Sequence, residues 1–379
     1  MDATQQELCR QKLEQILTAF IERGGSDLHI RSGTPVYARV KGKLAPLSNE
    51  VFSAEQVRQF ALQMMTPEQQ KNFAAARECD VGYDFKDQAR LRANIYSQRG
   101  VLNIAVRFIP KKIPSREVLA LPEVIYKLAD NTRGLCLVTG PAGSGKSTTM
   151  ASMIDHINQT RAAHIVTIED PLEFIHRDQK SIISQRELNI DTGTFADALR
   201  NVVRQNPDVV LIGEMRDLDT MQAALTAAQL GHFVLSTLHT VDAISTINRI
   251  IDLFPPHQQN QIRIQLSDTL KGIVAQRLVP LKSGEGLIPA IEVLVVTPAV
   301  RKCIEEKNHA DIINIMKQGQ YYGMQTFNQA LLSLYKKGHI SLDAALQAAS
   351  SPEDLMLAIK GIENASSSNQ MFERFDKKF

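Results

Sequence analysis

One stretch of the chain leaves little freedom in how its surroundings can fold. Residues 140–147 read Gly-Pro-Ala-Gly-Ser-Gly-Lys-Ser, a complete G-x-x-x-x-G-K-[ST] pattern, directly behind the apolar run 135–139 and ahead of a helix-compatible stretch opening at Thr148. A buried strand that turns on glycines into a helix N-terminus aims backbone N–H groups and the positive end of the helix dipole at one spot, which suits a polyphosphate. Lys146 is then placed to reach the β- and γ-phosphates and Ser147 to hold Mg²⁺. Gly140, Pro141, Ala142, Gly143, Ser144, Gly145 and Thr148 complete the expected cradle, and ATP with Mg²⁺ is the expected cofactor pair. A glycine-rich turn arising by chance would match the letters without strand and helix in register on either side.

From about residue 118 the pattern alternates strand and helix, with near-continuous apolar strands at 135–139, 164–168, 209–212 and 233–237. Strands that are apolar on both faces belong to a parallel sheet covered by helices, so the expected fold class is α/β with a RecA-like core. The first hundred residues suggest an α+β domain instead. There a helical pattern over 8–21 ends at Gly24 and Gly25, and short alternating runs follow at 27–30, 36–40, 90–96 and 102–108. Pro110 and Pro114 bracket Lys111 and Lys112 and can continue neither strand nor helix, which marks a linker. The expected organisation is an N-terminal domain over 1–109, a linker over 110–117, the core over 118–280, a mostly helical region over 281–350, and a final segment over 351–379. The end of that segment, from Ser366, is Ser-rich and then charged, and is read as a flexible tail.

Composition sets the remaining limits. At 379 residues the chain has room for two or three domains. Lys plus Arg number 43 against 41 Asp plus Glu, a net charge of +2 that gives no argument for a polyanion-binding surface, so nucleic acid is not an expected partner. Cys9, Cys79, Cys136 and Cys303 are too scattered for a zinc knuckle or a disulfide framework, which suits a reducing cytosol. No segment has the apolar length of a membrane span, and residues 1–10 are polar and unlike a signal peptide. A cytoplasmic protein that meets the membrane only through partners is expected.

Three further stretches belong with the phosphate loop. Asp-Val-Val-Leu-Ile-Gly-Glu (208–214) is a buried strand ending in a glycine and a carboxylate, the position from which Glu214 can orient or deprotonate the water attacking the γ-phosphate. Glu-Asp-Pro-Leu-Glu (169–173) ends the second strand, where the crevice beyond the carboxyl ends of parallel strands gathers ligands, and Glu173 is a second candidate there. His232 and His239 bracket the fourth strand, which puts His239 at its carboxyl end near the same crevice. Alone, either histidine reads as an ordinary polar residue capping a strand.

The order of these motifs, together with Gln-Arg-Glu (185–187), Gly-Glu-Met-Arg-Asp (213–217) and Ser-Thr-Leu-His-Thr (236–240), resembles the secretion ATPase superfamily of type II secretion and type IV pilus motors. Within it the chain looks most like the retraction ATPases of the PilT and PilU type. Gly-Ser-Asp-Leu-His (25–29), Ile-Asp-Leu-Phe-Pro-Pro-His-Gln (251–258) and Gly-Met-Gln-Thr-Phe-Asn (323–328) support the likeness, which covers about residues 12–345. The resemblance implies a homohexamer with a PAS-like N-terminal domain packed on the ATPase domain of its neighbour, and arginines from that domain reaching the nucleotide. Arg92 and Arg107 match those positions, with Arg99 between them as a weaker candidate. By the same matching, Glu173 is the Asp-box carboxylate, Glu214 the catalytic glutamate, and His232 with His239 the His-box pair. The implied activity is ATP hydrolysis coupled to pilus retraction and twitching motility. A polytopic inner-membrane platform protein is the implied partner, and a paralogous motor a further candidate. Two features separate the subfamilies. Assembly and secretion motors commonly carry a four-cysteine zinc insert where this chain has only Ser-Gly-Glu-Gly (283–286). The helix at 310–319, in turn, lacks the two arginines usual in retraction motors, and Gln229 stands where glutamate is common. An assembly or secretion motor and an accessory retraction subunit remain the alternatives.

Overall fold

The computed structural model describes residues 3–40, 42–86, 89–109 and 113–361. Linker residues 110–112 and the tail expected from 366 onward lie outside the described residues. The chain divides into two compact units: the first gathers the residues up to 112 together with Glu173–Ile175, and the second gathers the rest.

The first unit opens with helix α1 (Ala3–Glu22), followed by β1 (Gly25–Ile30), β2 (Pro35–Val40), β3 (Lys43–Val51), α2 (Ala54–Met64), α3 (Pro67–Ala76), β4 (Glu78–Phe85), β5 (Ala89–Gln98) and β6 (Val101–Ile109). The strands form one antiparallel sheet in the order β3-β2-β1-β6-β5-β4. Period-2 alternation decides its faces. Along β5, Ala89, Leu91, Ala93 and Ile95 are buried with Leu13, Leu17 and Phe20 of α1 and Phe60 of α2, while Arg90, Arg92, Asn94 and Tyr96 lie on the other face. Helices α2 and α3 begin at capping boxes, Ser53 with Gln56 and Thr66 with Gln69, which satisfy the N–H groups that a first turn leaves unpaired.

In the second unit, α4 (Arg116–Leu119) and α5 (Glu123–Ala129) precede β7 (Gly134–Thr139), α6 (Lys146–Thr160), β8 (His164–Glu169), β9 (Ile182–Glu187), α7 (Phe195–Val202), β10 (Val209–Ile212), α8 (Leu218–Gln229) and β11 (Phe233–Leu238). There follow α9 (Ala243–Asp252), α10 (Gln259–Thr269), β12 (Leu270–Pro280), β13 (Leu287–Val295), α11 (Pro298–Glu305), α12 (His309–Gln318), α13 (Phe327–Lys336), α14 (Leu342–Ala348) and α15 (Pro352–Ile359). The sheet order is β13-β12-β7-β11-β10-β8-β9, parallel throughout except for the antiparallel edge strand β13.

The expected α/β core is present, and alternation explains why its strands are nearly continuous in apolar residues. Leu135, Leu137, Val166, Ile168, Val210 and Ile212 face one layer of helices. Cys136, Val138, Ile165, Val209, Leu211 and Phe233 face the other, against Ile125 of α5 and Met153 and Ile157 of α6. Burial pushes the Cys136 thiol up to about 12, so it acts as a small apolar group. The C-terminal helices build a smaller core of Phe327, Leu331, Ile340 and Leu355 on Ala275, Val279 and Ala290 of β12 and β13. Among the described residues no helix is long and apolar enough to cross a membrane.

Candidate nucleotide site

Strand β7 ends at Thr139, and α6 starts at Lys146, so the loop 140–145 joins a buried strand to a helix N-terminus. Three of its glycines take positive φ: Gly140 (146°), Gly143 (77°) and Gly145 (88°), a region open to glycine at little cost. Gly140 is also pressed against its surroundings, because a Cβ there would stand 2.4 Å from the Gln276 carbonyl oxygen and 2.6 Å from Ser144 Oγ. By contrast, a Cβ at Gly143 or Gly145 would meet nothing within 4 Å, so this side of the loop is open. Gly145 is the N-cap of α6 and supplies no side-chain cap, which leaves the first N–H groups of the helix directed outward at its positive end.

Inside the loop, Lys146 is buried and its Nζ donates to the carbonyls of Gly140 (2.8 Å) and Pro141 (3.0 Å). Thr139 Oγ1 and Ser144 Oγ, at the loop's start and within it, and Gln276 Oε1, whose backbone carbonyl lies against Gly140, are buried without hydrogen-bond partners. A cradle of open glycines, an ammonium and unpaired polar atoms at a helix N-terminus is chemically matched to a nucleotide polyphosphate. Ser147, next to Lys146 on the first helical turn, offers the hydroxyl oxygen that Mg²⁺ accepts. Among the described residues no group of three or more His, Cys, Asp or Glu has the arrangement of a metal cage.

Glu214 stands two residues beyond β10, and its place is set by hydrogen bonds to the neighbouring strand. Ser236 Oγ donates to Ile212 O (2.9 Å), Thr237 Oγ1 to Gly213 O (2.6 Å), and Met215 N to Thr237 O (3.2 Å). On its other side Gly213 lies close to the end of β8, where a Cβ would stand 3.3 Å from the Glu169 Cα. The result brings His239, just past β11, to Glu214: Nε2 to Oε2 is 3.5 Å. The other oxygen, Oε1, pairs with Arg216 Nε at 2.6 Å, and the Glu214 side chain is only 14 % exposed. Arg216 was not among the residues expected from sequence, although the alternation Glu214-x-Arg216 in an extended segment was the available signal. At the end of β8, Glu169 Oε1 accepts from Thr167 Oγ1 (2.7 Å) and Gln185 Nε2 (3.4 Å), while Gln185 Oε1 accepts from the His176 backbone N–H (2.8 Å). Burial drops the His176 imidazole to about 4, so it stays neutral.

Other expected residues do not gather at this edge of the sheet. His232 lies at the other edge. It precedes β11, its Nδ1 is 2.7 Å from Pro207 O, and its carbonyl accepts from Gly134 N (3.0 Å). Since β7 and β11 run parallel with Phe233 opposite Gly134, His232 sits at the amino edge, a whole strand length from the phosphate loop of its own unit. Glu173 groups with the first unit, so the structure does not bring it together with Glu214 in one unit. Arg92 and Arg107 are direct cross-strand neighbours on β5 and β6. Arg107 Nε pairs with Asp27 Oδ1 at 3.1 Å and Arg92 with Asp80 at 3.8 Å. Burial works against the Asp27 charge, yet Ser26, Arg107 and Arg39 together hold its carboxyl below the usual range. Arg99 adopts φ 53° beside Gly100 in the turn between these strands.

The model of the family described as Type II/IV secretion system protein matches residues 2–285. The chain is 41% identical over 349 residues to the type IV pilus ATPase PilU of Pseudomonas aeruginosa, covering 92% of this chain and 91% of that protein. It is 40% identical over 342 residues to the type IV pilus retraction ATPase PilT of the same organism, covering 90% and 99%. A crystal structure of the pilus retraction motor PilT with bound ADP superposes with a TM-score of 0.85 at 43% identity, over 90% of this chain and 98% of that one. With a phosphate loop, a strand-end glutamate and a seven-stranded core in the same chain, the molecule belongs to the Type II/IV secretion system protein family.

Proposed function

We propose that this chain is a motor that powers type IV pilus retraction, working as a homohexamer on a polytopic inner-membrane platform protein from the cytoplasmic side. It binds nucleotide and is an ATP-hydrolysing enzyme of the PilT type. The retraction reading rests chiefly on the near full-length likeness to the retraction motor solved with ADP. In the mechanism that follows, the α6 N-terminus and Lys146 bind the phosphates in the ground state. Glu214 takes the proton of the attacking water, or holds that water in line. Arg216 and His239, one on each Glu214 oxygen, fix the carboxylate's orientation. Ser147 would hold Mg²⁺, and that cation would supply neutralisation of phosphate charge. Arg92 and Arg107, adjacent on one sheet face, are the guanidinium pair offered to a neighbouring subunit's nucleotide, where a fork that stays ionised suits charge spread over phosphate oxygens.

A second reading, an accessory subunit that depends on a paralogous motor, is favoured by two observations: identity to PilU matches that to PilT, and α12 carries no arginine. Deleting the gene separates these readings. Hyperpiliated cells that no longer twitch are expected for a retraction motor, and complementation with Lys146→Ala should fail. Bald cells would assign assembly, and unchanged twitching while a paralogous motor is present would assign the accessory role.

A further inference from the structure

Two charged side chains of the ATPase unit take no part in the chemistry above, yet both are committed to particular partners. Glu292 on β13 is buried, and Arg277 stands on the adjacent β12, in register with Ala290. The contacts of each run to the same two places. Glu292 Oε1 accepts the backbone N–H of Ala243 (2.9 Å), the first residue of α9, and Oε2 accepts that of Phe327 (3.3 Å), the first residue of α13. Arg277 donates to Val241 O (3.4 Å), in the loop before α9, and to Ala348 O (2.6 Å), the last residue of α14. Its guanidinium also lies 3.9 Å from the centroid of the Phe327 ring.

One end of both sets is the C-terminal helical cluster. The other is residues 241–243, the end of the loop that leaves β11 at His239. That loop transmits position well. Thr240 Oγ1 meets Thr246 Oγ1 at 2.6 Å, Thr246 Oγ1 donates to Asp242 O (2.6 Å), and Asp242 forms a capping box with Ser245. A buried carboxylate is costly, and an apolar side chain would fill the space without that cost. What it gains here is two acceptor oxygens for two helix N-termini at once, which neither an apolar group nor an amide reproduces.

We propose that Arg277 and Glu292 are positioning residues that tie the His239 loop, and through it Glu214, to the start of α13 and the end of α14, so that movement of the C-terminal helices changes turnover. This rests on the reading that Glu214 and His239 act at the nucleotide. It makes the C-terminal helices a control surface for the catalytic edge: a partner that shifts α13 acts on hydrolysis without touching nucleotide.

The test uses full-length protein carrying Glu292→Gln, Arg277→Gln or Phe327→Leu, measured for Mg-ATP turnover and for hydrogen exchange by mass spectrometry. Expected are a fall in kcat on the order of tenfold with KM for ATP little changed, since an orientation defect is felt in the transition state. Faster exchange is expected in the peptide 238–248 and not in 139–149. A lowered melting temperature with the parent kcat would reduce the pair to a structural role and overturn the proposal, as would a lower kcat with parent exchange at 238–248. If Glu292→Gln does not fold, the other two variants decide. Glu214→Gln and His239→Ala in the same assay test the underlying reading: parent turnover in both sinks that reading, whereas their loss beside normal turnover in the 277, 292 and 327 variants sinks only the coupling.

Discussion

In the proposed mechanism a buried ammonium and a strand-end carboxylate divide the work at the phosphate loop, and single substitutions should separate their roles. Lys146 Nζ sits within the loop on two carbonyls; the proposal has it meet phosphate already in the ground state, and Lys146→Ala should abolish ATP binding. Glu214→Gln should bind ATP as the parent does and lose turnover by about 10²- to 10⁴-fold, the usual contribution of a positioned base. Equilibrium nucleotide binding beside phosphate release checks both, and a Glu214→Gln protein that turns over at the parent rate would shift the base role to Glu173. Glu292 gives a prediction about stability. Burial raises its carboxyl from 4.5 to about 7, with Asp242 adding to the rise, while the Ala243 and Phe327 N–H groups and Arg277 oppose it. The folded chain therefore holds that proton more tightly than the unfolded chain. The resulting stabilisation is fully present below pH 4.5 and is lost as pH rises through about 7. Relative to the parent, Glu292→Gln should lack this loss, so the difference between their urea midpoints should change across that window. A difference constant from pH 4.5 to 8 would contradict the assignment.

At the scale of single elements, α8 is the helix nearest in sequence to Glu214, and its start is fixed by one side chain. Asp217 Oδ1 accepts Thr220 N (2.8 Å), and Thr220 Oγ1 donates to Asp217 Oδ2 (2.8 Å). Asp217→Ala should cost about 1 kcal/mol of stability, read from urea unfolding; an unchanged midpoint would show that the cap is not what holds this turn. The same scale shows what the sequence could reveal. Strands β7, β8, β10 and β11 were legible because helices cover both faces and most positions are apolar, the exceptions such as Thr167, Ser236 and Thr237 being short hydroxyl side chains. Strand β9 was not, because it is an edge whose residues Ser184, Gln185, Arg186 and Glu187 carry polar contacts in place of a second core. Strand β3 buries only Leu47 and shows no alternation to detect, and β12 was hidden by two polar residues in succession, Gln276 and Arg277, the second of which finds its partner, Ala348 O, only in three dimensions. In the site, Glu214 and His239 followed from strand direction. The Arg216 contact was open to a similar reading, through the alternation Glu214-x-Arg216 past the strand end, and strand direction by itself sends His232 to the opposite edge.

For the whole molecule the decisive question is whether a working site belongs to one chain or two. Arg92 and Arg107 lie in the first unit and Lys146 in the second. In the proposed ring, the arginines of one subunit complete the phosphate loop of the next. Arg107→Ala and Lys146→Ala proteins should then each be inactive alone, because an arginine acting on a transferring phosphoryl group supplies on the order of 10³-fold or more in rate. Mixed, they should regain part of the activity, since some interfaces then pair an intact Arg107 with an intact Lys146. With random exchange, such interfaces are most frequent at equal proportions, so phosphate release against mixing ratio should pass through a maximum there. Subunit exchange and ring formation by both variants are established first, by sedimentation of labelled mixtures. Recovery can arise only from a site shared between chains. Release that stays at the level of the separate variants at every ratio would place Arg107 in its own chain's site or outside catalysis, and the ring would then have to couple its subunits without sharing their chemistry.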